Sequence, residues 1–155
     1  MRGVMCAVTM AALWIAGVGR AQDEFGDASS QTLTTKAWEA LGSGNFDKVA
    51  LFTAKCQELY AKEAEKQQAG LTDFLPSDKG HDAWALNDVG TCCFIQGQAF
   101  EKQDRKADAA AAYKKAAESY GFAQCWDPKG WFWRPAEAAA QRLKQLEFDG
   151  VLDAK

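Results

Sequence analysis

The chain has 155 residues, enough for one domain with its own core, and 48% of them are hydrophobic. Its 18 basic and 21 acidic residues leave a formal net charge of -3 at pH 7. That balance is small and of the wrong sign for nucleic-acid binding, which needs clustered lysine and arginine.

The N-terminus, MRGVMCAVTMAALWIAGVGRAQ, carries one early positive charge at Arg2, an uncharged run from Gly3 to Gly19, and small residues at Gly19 and Ala21. This pattern predicts a secretory signal peptide over residues 1–21, cleaved after Ala21. The alternative is an uncleaved anchor, for which the run is short, since a span needs about 20 apolar residues. Cys6 lies too early, without the residues that precede a lipoprotein acylation site. The mature chain is therefore expected in the periplasm or secreted from a bacterial cell, with no stable membrane insertion. Cleavage removes Arg2 and Arg20 but no acid, so charge will not draw the mature chain to anionic lipid.

Residues 22–30, QDEFGDASS, read as a flexible leader. Beyond it Ala, Glu, Lys, Gln and Leu dominate, nothing alternates with period two, and proline occurs only at Pro76, Pro128 and Pro135. Long unbroken helices and an all-α fold over residues 31–147 follow. A first helix is expected over 32–41, with Leu33, Ala37 and Leu41 on one face, stopped by the GSGN turn. Asn45 can cap a second helix over 46–67, with a buried stripe of Val49, Phe52, Cys56, Leu59 and Tyr60. Residues 69–82, AGLTDFLPSDKGHD, form a loop insertion that Leu71, Phe74 and Leu75 can tuck onto the core. Asp82 can cap a third helix over 83–103, and a thin, alanine-rich fourth helix follows over 106–120. A Trp-rich loop spans 123–135, Pro135 suits the first turn of a last helix ending near 146, and residues 148–155 form a tail in which Phe148, Val151 and Leu152 can dock.

The segment CFIQGQAFEKQDRKADAAAAYKKAAESY, Cys93 to Tyr120, carries a spaced set of small and aromatic residues: Gly97, Phe100, Ala109, Tyr113 and Ala116. In that register it resembles a tetratricopeptide repeat. A weaker earlier copy holds Ala37, Phe46, Val49 and Cys56 in matching places, with Leu33 and Ala40 as departures. The resemblance covers about residues 30–123 and implies antiparallel helix-turn-helix repeats, an α-solenoid fragment closed by a C-terminal capping helix. An unrelated helical bundle is the competing fold. The resemblance further implies a protein-binding scaffold whose concave face would hold a partner protein or peptide through Phe94, Gln98, Glu101 and Lys102. The family's carboxylate-clamp residues are not present in that set.

Four cysteines, Cys56, Cys92, Cys93 and Cys125, remain after the leader, and an even number in an exported chain favours disulfides. If the second and third helices are antiparallel neighbours, Cys56 and Cys92 are level, and Cys93 with Cys125 would then pin the Trp loop. Buried free thiols are the alternative. No Cys-x-x-Cys occurs, adjacent cysteines on a helix point about 100° apart, and the sole histidine, His81, sits in a loop, so neither a metal nor another cofactor is expected.

No nucleophile–base arrangement surrounds His81, and no phosphate-binding glycine loop is present, which argues against an enzyme. Residue types alone leave a paired-carboxylate hydrolase open, but every acid is expected on a solvated face or in a polar loop, where nothing raises its pKa. The stretch CWDPKGWFWRP has two readings. Trp126, Trp131 and Trp133 can cover the open end of the helices, with Arg134 stacked on a ring. Alternatively they face outward as an aromatic platform with Arg134, binding a cell-wall glycan or a partner. The chain thus reads as a non-catalytic interaction scaffold, with a glycan-binding accessory protein as the alternative.

Overall fold

A computed structural model of the chain describes residues 24–127 and 129–149. The expected signal peptide, Cys6, the first leader residues, Pro128, Val151 and Leu152 lie outside the described residues. The described chain is mostly helical: α1 (Ser30–Gly42), α2 (Phe46–Ala69), α3 (Trp84–Lys102), α4 (Lys106–Ser119) and α5 (Pro135–Phe148), with a two-stranded hairpin, β1 (Cys125–Asp127) and β2 (Trp131–Trp133), before α5.

Local chemistry sets most helix ends. The Ser29 hydroxyl accepts from the Thr32 amide at 3.2 Å, and the Asn45 side chain accepts from the Lys48 amide at 3.1 Å, each satisfying a first-turn donor. Pro135 occupies the first turn of α5. The start of α3 differs from expectation. Asp82 does not cap it; residues Gly80–Ala83 form a 3-10 turn, and α3 begins at Trp84 without a local side-chain cap. The missing acceptor comes from another helix, where Gln67 of α2 accepts from the Leu86 amide at 2.9 Å.

Cross-contacts fix the helix directions. Ser30 donates to Asp88, and Thr34 lies 3.4 Å from the Cys92 sulfur, so α1 and α3 run parallel at an offset of 58 residues. Gln57 and Lys115 join α2 to α4 at the same offset of 58. Gln57 meets Gln96 while Gln67 meets Leu86, which makes α2 antiparallel to α3. Pro135 lies near Gly90 and Arg142 binds Glu101, so α5 follows α3 in direction. One set of helices, α1, α3 and α5, therefore runs one way, and α2 and α4 return.

The α3–α4 seam depends on small residues. Ala109 and Ala116 are fully buried, and at Gly97 the Tyr113 ring approaches so closely that an added Cβ would stand 2.4 Å from it. Leu71 and Leu75 of the 69–82 segment pack on the core, and Phe74 meets Phe122 edge-on at 5.6 Å. Two expected contacts are absent: Leu59 of the α2 stripe is 45% exposed, and Phe148 is 87% exposed and does not dock.

The Trp-rich segment is a hairpin, where an irregular loop is expected. Trp126 pairs with Phe132 across the strands with ring centroids 5.2 Å apart, a cross-strand aromatic contact that favours extended backbone. The turn closes through the Gly130 amide donating to the Asp127 carbonyl at 2.9 Å, with the Asp127 carboxylate accepting from the Lys129 amide at 2.8 Å. Gly130 takes φ +96°, a conformation that suits glycine.

Candidate functional site

The hairpin lies across α1 and α3. Trp133 is wedged with its ring 6.1 Å from Trp38 of α1 and 5.1 Å from Phe94 of α3, and Phe94 in turn meets Tyr113 at 5.6 Å. Beside this wedge is a cleft of about 560 Å³ lined by residues of α1, α3 and the hairpin. That volume is in the range of small-ligand sites, about 300–1,000 Å³. Its walls include Trp38, Phe94, Trp126 and Trp133, with Gln98, Asp88 and Asp127 as polar groups. Trp126 is half exposed at the mouth. A second hollow, lined by His81, Trp84 and Gln124, adjoins the first through Asp88, Cys125 and Trp126.

Asp88 overturns the expectation that every acid sits on a solvated face or in a polar loop where nothing raises its pKa. It is half-buried on α3, and loss of water raises its pKa, with the Ser30 hydroxyl opposing the shift by hydrogen-bonding the carboxylate. Cys125 also lines the cleft. Burial pushes its thiol up to about 11 while the Thr91 hydroxyl, 3.1 Å away, opposes that shift, so the sulfur stays protonated at neutral pH and is a weak nucleophile.

The four expected concave-face residues do not act together. Phe94 and Gln98 line the cleft. Glu101 turns to α5, accepting from Arg142 Nη2 at 2.6 Å and Nε at 3.1 Å and from the Tyr113 hydroxyl. Lys102 is exposed at the end of α3. Glu101 is thus a structural tie. Glu101→Ala is expected to lower the unfolding free energy by about 2 kcal/mol, because the buried Tyr113 hydroxyl loses its acceptor. The ion pair adds little, since Arg142 is 46% exposed. Urea unfolding checks this, with Lys102→Ala as the unaffected comparison.

The aromatic platform is also split. Trp126 and Trp133 belong to the cleft, whereas Trp131 is 49% exposed and is not among the lining residues. Arg134 faces away: its guanidinium lies 3.8 Å over the Phe74 ring and pairs with Glu137 at 2.8 Å, holding the 69–82 segment to the hairpin.

The four cysteines are free thiols. Cys56 and Cys92 meet in the core, where a hydrogen bond with Cys56 and then burial push the Cys92 thiol well up. The structure does not bring Cys93 and Cys125 together. Cys125 sits 3.1 Å from Thr91 and 3.6 Å from the Asn87 carbonyl, on the hairpin side of α3. Cys93 is two positions beyond Thr91, a turn of about 200° around the helix, and is fully buried, with Lys115 and Cys56 within electrostatic reach.

Sequence reasoning missed Trp38, Thr34, Asp88, Thr91 and Asp127 as lining residues. Overlaying the two repeat copies, with Ala37 against Gly97, gives Thr34 and Trp38 the places of Phe94 and Gln98, the signal that could have found them. Among the described residues no three His, Cys, Asp or Glu side chains group as a metal site, and no described helix is long and apolar enough to cross a membrane. Comparisons with protein-family models, with curated proteins and with solved structures find no match for this chain.

Proposed function

We propose that the chain is a non-catalytic binding module of the tetratricopeptide type, acting in an exported compartment and holding a segment of a partner protein in the cleft between α1, α3 and the hairpin. The observation that carries this reading is the cleft itself, about 560 Å³, in which four aromatic rings stand among polar side chains. The repeat reading is supported by the parallel packing of α1 on α3 at an offset of 58 residues, with Gln57 of α2 and Lys115 of α4 joined at the same offset. The signal-peptide pattern of residues 1–21 supports export. A protonated Cys125 and the lack of histidine among the cleft's lining residues favour binding over catalysis.

Trp126→Ala removes a half-exposed ring without opening the core. It is expected to cut recovery of a partner captured from the exported fraction about tenfold, while Lys102→Ala leaves recovery unchanged. Equal recovery by both variants would remove the cleft as the binding site. The 49% exposure of both Trp126 and Trp131 favours a second reading, in which these rings stack on a cell-wall glycan. Tryptophan emission that shifts with peptidoglycan or β-glucan, and not with peptides, selects that reading.

A further inference from the structure

The ten cleft residues include four rings, Trp38, Phe94, Trp126 and Trp133, two carboxylates, Asp88 and Asp127, and no lysine, arginine or histidine. Asp88 accepts from the Ser30 hydroxyl, and Asp127 accepts from the Lys129 backbone amide, both neutral donors. Among the described residues no basic side chain lies within 4.0 Å of either carboxylate; the ion pairs engage other acids. A carboxylate partly withdrawn from water and held only by neutral donors is under-compensated. The ring faces around it carry the negative side of their quadrupoles. Both features favour positive charge in the same space. A bare metal ion is a poor fit, because two carboxylates and no further ligating cluster face a cleft of about 560 Å³. A neutral sugar would stack on the rings and donate hydroxyls to the carboxylates, but it would leave the negative charge of the cleft without a counter-charge.

We propose that the cleft recognises an organic cation: the ammonium or guanidinium end of a lysine or arginine side chain on the partner segment, its alkyl stem along the rings and its charge toward Asp88. This rests on the peptide-binding reading above and adds the charge of what is bound. The raised pKa of Asp88 is in keeping with it, since a cation supplies the stabilisation that water no longer gives the carboxylate.

The test uses the purified protein as the cell produces it and two end-blocked pentapeptides, Ala-Ala-Lys-Ala-Ala and its norleucine counterpart, which differ by one charge. A β-glucan oligosaccharide is the neutral comparison. Calorimetry and tryptophan fluorescence are expected to show the lysine peptide binding at least about tenfold more tightly than the norleucine peptide. Asp88→Asn, which keeps the acceptor for Ser30, is expected to weaken the lysine peptide about tenfold and leave the norleucine peptide unchanged. Trp126→Ala serves as the second variant should Asp88→Asn fail to fold, and it is expected to weaken the lysine peptide also. Equal binding of the two peptides overturns the cation assignment and leaves peptide binding standing. Binding of neither peptide, with or without binding of the glucan, overturns both. Lysine binding that neither variant weakens overturns the assignment to this cleft.

Discussion

Gly97→Ala is expected to destabilise the folded chain by about 2 kcal/mol, although alanine is the better helix former. Two effects compete. In the middle of a helix alanine is favoured over glycine by about 1 kcal/mol. Against this, the added Cβ would stand 2.4, 2.6 and 2.8 Å from three carbons of the Tyr113 ring. The ring has nowhere to go: Tyr113 is fully buried, and its hydroxyl is held by Glu101. Overpacking in a filled core costs about 1–3 kcal/mol and occasionally more. A clash with the body of a pinned ring belongs at the top of that range, so α3 and α4 must part. The loss corresponds to a fall in melting temperature of about 4–8 °C for a chain of this size. Urea and thermal unfolding of the single variant measure it. In a Tyr113→Ala background the ring is gone, and Gly97→Ala is expected to become neutral or stabilising, a non-additivity that independent sites do not show. A single variant more stable than the parent would mean that α3 and α4 are not in close contact at Gly97.

That seam was legible in the sequence because its determinants are local in kind. Glycine and alanine at Gly97, Ala109 and Ala116 recur at helical spacing, and only residues without bulk permit the approach seen there. The Asn45 cap and the Pro135 start were legible for the same reason, since both act within one turn. The start of α3 was not. Its acceptor is Gln67, nineteen residues earlier on another helix, and no local pattern points to it. The hairpin escaped because each strand has three residues, too few for alternation to show, and its pairing comes from Trp126 meeting Phe132.

The cleft was half legible. Phe94, Gln98, Trp126 and Trp133 carry the residue types that bind, and the structure brings them together. Trp38 shows in the sequence only as the counterpart of Gln98 in the earlier repeat copy, and Asp88 was hidden because its role depends on α1 lying parallel to α3, a tertiary fact. Glu101 shows the converse: it has the type of a binding residue, yet its carboxylate is taken by Arg142 and Tyr113. Arg134 is likewise occupied by Phe74 and Glu137.

The reduced protein is expected to lose stability steeply between pH 9 and pH 12, through thiols and phenols that the core keeps neutral. Burial lifts the Cys93 thiol from 9.0 to about 12, with Lys115 opposing and Cys56 adding to the shift. A folded value above the unfolded one means that the contribution is whole below pH 9 and is lost as pH rises toward 12. Each pH unit across that window is worth about 1.4 kcal/mol per group, so Cys93 alone accounts for about 3 kcal/mol by pH 11. Tyr120, lifted by burial from 10.0 to about 12, and Cys92 and Cys125 act in the same direction. All of these groups titrate in the same alkaline window, so a loss of stability that steepens toward pH 11 is expected. Urea midpoints from pH 7.5 to 11 in the presence of a reductant measure the slope. Cys93→Ala leaves a small void and lowers stability at pH 7.5, yet its slope above pH 9 is expected to be shallower than the parent's, because one titrating thiol is gone. The two effects have opposite consequences along the pH axis, so the curves of parent and variant converge as pH rises. Parallel curves would mean that Cys93 titrates as it does in water, and that the space between α2, α3 and α4 is open to solvent.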